Sequence, residues 1–370
     1  VKVVALDKFD WKHPGLGENA EAGGAKKFLH KHLSRLSDKG HDINLISAKH
    51  PDLKSRENID GVDVMRTGLP HSKNLLFIYT LGQLIINYYI KKIQPDIILS
   101  VHSPLPWIIL DDTPVVSVFH HVNDKESLRQ RNGFVGSILY KWELWGVKRA
   151  IGQQIIAVSN DTRDDLMDFG HQQKNIKVVR NGVDSKKFTP GDKFEAPTVL
   201  YLGRLDERKG VDKIPSIYDN LVNRELDFDL HIAGDGEKKK YLRNFSKDKY
   251  NIRFHGFVSE SKKVDLLTKS WLVILPSRKE GYGIVVLEAN ASGTPVVANN
   301  VRGLKESVKD SKTGFLEDLE NTEEFCDRIQ EILTEKELRK RLSKNCREFA
   351  QKHSWDEASS RLEDTLMSET

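Results

Sequence analysis

Glu280 and Glu288 stand with seven residues between them in the stretch KEGYGIVVLEANASGTPVV, and their types and spacing are the strongest chemical signal in the chain. A carboxylate accepts two hydroxyl hydrogen bonds well, which suits the vicinal hydroxyls of a ribose or a hexose. Gly281 and Gly283 let the backbone approach an oxygen-rich ligand with no Cβ in the way. The helix expected from Ile284 onward would add unpaired N–H groups and the positive end of its dipole, which suit a diphosphate. Glu288 breaks the otherwise apolar run IVVLEANA, where an unpaired glutamate is costly. Helical side chains lean toward the N-terminus, so its carboxylate is expected to point back to the same crevice. The stretch therefore reads as a nucleotide-sugar site.

The elements that must position these groups follow from the flanking pattern. WLVILPS, 271–277, is an apolar run of strand length, and SRKEGYG after it has the charges and glycines of a loop. The helix should run over 284–292 and end at Gly293, after which TPVVA resumes strand-like sequence. In an open α/β sheet, the carboxyl ends of strands open onto the ligand crevice.

Two such β/α series occupy the chain. The first runs from VKVVALD through a glycine-bearing loop, a helix over 25–37 and the strand DINLIS, then DIILSV, VVSVF and QIIAVS. The second runs from TVLYLG through RLDERKG and a helix, then DLHIAGDG, NIRFHGF, WLVILPS and PVVA. Short, apolar, β-branched strands alternating with helices read as parallel and covered on both faces. The fold class is α/β, with two doubly wound Rossmann-like domains facing a central cleft: 1–190 first, then 191–351, with a linker near GVDSKKFTPGDKFEAP. A length of 370 residues supports two cores. The last segment, 352–370, reads as an amphipathic helix packing back on the first domain. Pro215 should delay or kink the helix after KGVDK.

Composition bounds the function classes. Hydrophobic content of 38% and charged content of 30% fit a soluble globular chain, and no apolar run is long enough to span a bilayer. The opening VKVVALD reads as a strand rather than a secretory signal, so a cytoplasmic location is expected. The net charge of +4 is uneven, +6 over residues 1–190 and −2 over the rest, which suits a solvated surface or weak attraction of the first half to an anionic membrane or acceptor. NLLFIYTLGQLIINYYIKKI reads as a core helix, or as an amphipathic face making peripheral membrane contact. No nucleic-acid motif is present. Cys326 and Cys346 form neither a zinc spacing nor a disulfide framework and read as structural thiols. Asp227 and Asp229 precede a strand rather than ending one, so they read as strand-entry charge and not as a metal site. The P-loop, nucleophile-elbow and zincin patterns are absent, and GLG and GYG lack the third glycine of a dinucleotide fingerprint.

Taken together, these residues resemble the retaining GT-B glycosyltransferases of family four, also called group one. The resemblance spans nearly the whole chain. Its most specific piece is the Glu280/Glu288 pair followed by ASGTPVVA; GGA followed by KGHDINLIS, VFHHV, IIAVSNDT, VVRNGVDSKKFTP, YLGRLDERKG, IAGDG and FHGFVS support it. It implies that Arg204 and Lys209, beside Gly203, grip the donor diphosphate. It implies further that Glu280 meets hydroxyls of the transferred sugar, and that the N–H groups of Gly281, Tyr282, Gly283 and Ile284 meet sugar or phosphate. Glu288 would hold the ribose, and the backbone around Phe257 and Val258 would border the base. Gly23 and Gly24 would form the acceptor-side loop, and His120, rather than His121, would stand near the reacting center. The first loop, KFDWKHPGLGENAEAGGA, departs from the resemblance in being longer than in many relatives.

The implied reaction is hexosyl transfer from a UDP- or GDP-linked sugar to a glycan, lipid or small-molecule hydroxyl, with retention and without a metal or other cofactor. Three other readings compete. A glycosidase would use paired carboxylates as acid and nucleophile, but needs no cationic diphosphate clamp. A GT-B nucleotide-sugar epimerase would bind the donor in the same way and use no acceptor. A non-catalytic nucleotide-sugar-binding subunit would not need Arg204, Lys209, Glu280 and Glu288 all in place.

Overall fold

The computed structural model describes residues 1–7, 24–49, 53–67, 75–102, 107–123 and 125–370. The chain divides into two compact units: Val1–Arg180 with Asp356–Thr370, and Asn181–Trp355.

In the first unit the order is β1 (Lys2–Leu6), α1 (Gly24–Asp38), β2 (Asp42–Ala48), β3 (Arg56–Ile59), β4 (Val62–Thr67), α2 (Leu75–Ile93), β5 (Ile97–Val101), β6 (Val115–Phe119), α3 (Lys125–Arg149), β7 (Ile155–Ala157), α4 (Asn160–Asp168) and β8 (Ile176–Val178). The eight strands form one sheet in the order β3-β4-β2-β1-β5-β6-β7-β8. All pairings are parallel except the β3–β4 edge hairpin. Strand β1 shows why the sheet is covered on both sides. Val3 and Ala5 enter the core that holds Phe28, Leu29 and Leu33 of α1, while Val4 and Leu6 enter the one that holds Ile86 and Ile90 of α2. Side chains two apart share a face, so an unbroken apolar strand must be buried twice.

The second unit runs β9 (Thr198–Leu202), α5 (Ile214–Asn223), β10 (Asp229–Ala233), α6 (Lys239–Ser246), β11 (Ile252–Gly256), α7 (Glu260–Lys269), β12 (Leu272–Leu275), α8 (Ile284–Ala291), β13 (Val296–Asn299), α9 (Arg302–Lys305), β14 (Gly314–Glu317), α10 (Thr322–Thr334) and α11 (Lys336–Gln351). Its six strands are all parallel, in the order β11-β10-β9-β12-β13-β14. Val199 and Tyr201 face one core, and Leu200 and Leu202 the other. Pro215 lies in the first turn of α5, after two short 3-10 turns, so the helix starts late and runs unkinked. Residues 182–197 are bound into this unit: Phe188 is buried, Val183 N–H donates to His353 O at 2.8 Å, and Arg347 donates to the Phe188 and Ser185 carbonyls.

The closing helix, α12 (Trp355–Met367), carries Leu362 and Leu366 into the core of the first unit. Arg35 pairs with Asp356 at 2.6 Å, the His32 Nδ1 and Ser359 Oγ lie 2.8 Å apart, and the His41 Nε2 meets Glu363 at 3.0 Å. Cys326 and Cys346 are buried free thiols, and burial pushes the Cys326 thiol up to about 12. Among the described residues no helix is long and apolar enough to cross a membrane.

Candidate functional site

In the second sheet, the chain moves outward from β9 to β10 and β11, then returns to the other side of β9 to lay down β12, β13 and β14. The crevice at such a reversal, between the carboxyl ends of β9 and β12, is where an open α/β sheet has room for a ligand. The loops leaving these two strands carry Gly203, Arg204 and Lys209 on one side and Glu280 to Gly283 on the other.

Close backbone contacts tie the two loops together. Gly210 has φ +64°, and a Cβ there would lie 1.7 Å from the Pro276 carbonyl oxygen, so only glycine lets the loops meet. Arg278 N–H donates to Arg208 O at 2.9 Å, and the Arg278 guanidinium grips both carboxylate oxygens of Asp212 at 2.6 Å. That pairing holds the Asp212 carboxyl below its ordinary range. Asp206 closes the turn by accepting from Lys209 N–H at 3.0 Å and pairs with Arg204 at 2.9 Å. The Tyr201 hydroxyl donates to Arg204 O at 2.6 Å. The Arg204 side chain remains 56% exposed, whereas Lys209 forms an ion pair with Glu280.

Helix α8 begins directly after this junction. Gly283 is its N-cap in the left-handed region, φ 70° and ψ 66°, and no side chain caps the helix. Glycine supplies no capping side chain, and the dipole at this helix N-terminus favours an anion. Glu288, one turn in, is 2% exposed and accepts from Lys263 Nζ at 3.1 Å. Lys263 also pairs with Glu260 at 2.8 Å. Burial opposes the lysine's charge, but Glu288 and Glu260 outweigh it and hold its pKa above the ordinary value. Tyr282 is buried. Val258 follows β11, packs partly buried against the same core, and precedes Ser259, the N-cap of α7. Ser259 thus fixes the helix that delivers Lys263.

The structure brings Gly203, Arg204, Lys209, Glu280, Gly281, Tyr282, Gly283, Ile284 and Glu288 to one end of one sheet. His120 belongs to the first unit, directly after β6. Its ring meets Phe28 of α1 edge-on at 5.1 Å, and its buried Nε2 has no hydrogen-bond partner among the described residues. Burial, followed by the neighbouring His121, lowers its pKa to about 3, so the ring is neutral at ordinary pH. Gly24 opens α1, while Gly23 lies outside the described residues. Asp229 opens β10, at the end of the sheet away from the Glu280 loop.

Two supporting residues escape the sequence pattern. Lys263 looks like any lysine in SKKVDLLTK. Glu143 is fully buried on α3 and accepts from the Asn123 backbone and side-chain N–H groups at 3.0 and 3.1 Å, three residues beyond His120. It also lies 3.8 Å from His102, whose ring stacks on Phe119 at 4.1 Å. The clue for Glu143 was the same as for Glu288, a glutamate among large apolar residues in KWELWG.

Residues 22–187 match the family model of family four glycosyltransferases, and residues 184–349 match that of group one glycosyl transferases. The chain belongs to this glycosyltransferase family. It is 28% identical to a glycogen synthase of Mycobacterium tuberculosis over 339 residues, covering 82% of this chain and 80% of that one. Sucrose-phosphate synthase from Thermosynechococcus elongatus has the same fold, with a TM-score of 0.80 at 18% identity and full coverage of both chains. HepE of Anabaena, solved with UDP and glucose, superposes with a TM-score of 0.74 at 18% identity over 99% of each chain. The glycosyltransferase thus has the GT-B architecture of two Rossmann-like α/β domains, and its two sheets are the frames just described. The charged groups of the candidate site lie at the reversal of the second sheet, and the neutral buried histidine follows a strand of the first.

Proposed function

We propose that this glycosyltransferase moves a hexosyl unit from a nucleoside-diphosphate sugar, UDP- or GDP-linked, to a hydroxyl of a glycan, lipid or small molecule, with retention at the anomeric carbon. One observation carries the reading: Lys209–Glu280, buried Glu288 and the uncapped start of α8 converge where the second sheet reverses. The complex of HepE with UDP and glucose supports it. Arg204, Lys209 and the N–H groups from Gly281 to Ile284 take the diphosphate, Glu288 the ribose, Glu280 the sugar hydroxyls, and the backbone at Val258 borders the base.

Breaking the bond between the anomeric carbon and the phosphate oxygen leaves negative charge on the diphosphate. Cations and N–H groups already aimed at that position stabilise it without reorganising, which is the largest contribution such a site can make. The acceptor oxygen forms the new bond to the same carbon, and its proton passes to the departing phosphate oxygen. No metal is needed for this balance of charge. Neutral His120 is assigned to the transferred sugar, where its Nε2, without a partner among the described residues, offers one directed hydrogen bond, and Gly23 and Gly24 to the acceptor-side loop. Incubation with UDP- and GDP-hexoses, followed by proton NMR of the product, tests the reading. Transfer with the donor's own anomeric configuration is expected; inversion, or epimerised donor with no acceptor product, overturns it.

A further inference from the structure

At the other end of α8 the second unit holds a basic cavity of about 490 Å³, lined by Lys193, Trp271, Gly293, Arg339 and Arg347 with Lys340 and Lys344 among the residues at its wall. Trp271 directly precedes β12, and Gly293 follows α8, so this cavity lies at the amino ends of the strands, opposite the Glu280 loop. It is not part of the sugar site.

The cations here are unbalanced. Lys193 Nζ donates to Thr268 O at 2.8 Å and to the Thr294 hydroxyl at 2.7 Å. Arg347 donates to the carbonyls of Phe188, Ala291 and Ser185, and Arg339 to those of Ile332 and Leu333. Carbonyls meet a cation's hydrogen-bonding demand but cancel none of its charge. Among the described residues none of these three has a carboxylate within ion-pair reach. The one acidic residue of the wall, Glu348, meets Lys344 only at 4.0 Å, and Lys340 pairs at 2.9 Å with Glu337, which lies outside the wall, in an exposed pair that solvent screens. Arg339 lies over the Trp271 ring at 3.8 Å, which fixes its guanidinium plane. Burial lowers the Lys193 pKa to about 8, against the opposing influence of Cys346 and with a smaller contribution from Arg339.

We propose that this cavity is a second ligand site of the protein, one that binds a small soluble molecule bearing a phosphate group. Three partly buried cations and two exposed lysines supply the charge, and arginine's planar fork matches phosphate oxygens. The volume exceeds a bare phosphate and falls in the range of small-molecule sites, so the phosphate is attached to a compact body. Ser343, on the same wall, offers that body a hydroxyl.

The test is calorimetry of the full chain with inorganic phosphate and with glycerol 3-phosphate, with glycerol as the uncharged control. Lys344→Glu alters an exposed helix position and leaves the core and the sugar site untouched; Lys209→Ala alters only the sugar site. Saturable binding that persists in Lys209→Ala and weakens at least about tenfold in Lys344→Glu supports the proposal. Binding lost in Lys209→Ala but unchanged in Lys344→Glu overturns it, as does no binding by either phosphate. Phosphatidylglycerol vesicles form the contrasting arm: co-sedimentation abolished by Lys344→Glu, with no binding of glycerol 3-phosphate in solution, overturns the soluble ligand. UDP binding measured alongside keeps this outcome separate from the fate of the sugar site.

Discussion

The two candidate regions of this glycosyltransferase, one in each unit, are built on opposite principles. In the second unit the site is charged, and its charges are already paired: Lys209 with Glu280, Lys263 with Glu288, Arg204 with Asp206. In the first unit the candidate group is a neutral histidine, buried against Phe28, whose Nε2 has no partner among the described residues. Internal pairing keeps ionised groups oriented before a ligand arrives, because an unpaired buried charge would be too costly to hold in place. A neutral imidazole needs no counter-ion, and packing alone can hold it. The second unit is therefore suited to bind charge, and the first to place one polar atom.

Lys209→Ala attacks the charged side of this contrast and has the largest expected effect. A loss of about 10²–10³ in kcat/KM for the nucleotide sugar is expected, the size of losing one donor to developing charge. Steady-state kinetics with the donor varied measures it; a loss of under about threefold would remove Lys209 from the site.

Glu288→Ala separates binding from folding. It leaves Lys263 with Glu260 alone, so unfolding in urea should show a loss of about 2 kcal/mol, the size of one hydrogen bond to a charged group, as well as weaker donor binding. The double variant Glu288→Leu with Lys263→Met should regain most of that stability and still bind nucleotide poorly. If it binds nucleotide normally, Glu288 serves the fold alone.

His120→Ala tests the neutral side. The expected loss is about 10² in kcat with the donor dissociation constant unchanged, as for a group that acts on the reacting sugar rather than on the diphosphate. An equal loss in donor affinity would merge the two regions into one binding function.

The smallest effect is on stability against pH. His120 and His32 both have folded pKa values lowered from 6.5 to about 3, chiefly by burial. The unfolded chain takes up protons below 6.5 that the folded chain refuses, so stability is complete above that pH and falls as pH drops toward 3. Each histidine contributes a slope approaching about 1.4 kcal/mol per pH unit inside that window. Urea unfolding between pH 7 and 5 should show a shallower slope in His120→Gln than in the parent chain.

Much of this was legible in the sequence because the relevant signals are local. Apolar β-branched runs such as VLYL and LVIL specify doubly covered parallel strands, and a glutamate inside IVVLEANA announces a buried carboxylate. The chain's reversal between β9 and β12 follows from the two β/α series only once strand order is known, and strand order depends on packing rather than on any segment. Lys263 was hidden because its partner, Glu288, is 25 residues away and nothing in SKKV distinguishes it from a solvated lysine. The basic cavity was hidden for the same reason: Lys193, Trp271 and Arg339 come from three separate segments, and only the fold assembles them. The glycines of the first loop could be named, but Gly23 lies outside the described residues, and its acceptor-side role is still a proposal.

The central claim is that the reversal of the second sheet binds a nucleoside diphosphate through Lys209 and Glu288. Calorimetric titration of UDP and GDP into the parent chain, Lys209→Ala and Glu288→Gln tests it most directly. The account predicts one-to-one binding of at least one nucleotide to the parent chain, weakened about tenfold or more in both variants. Failure of both nucleotides to bind the parent chain, or equal affinity in all three proteins, would contradict it.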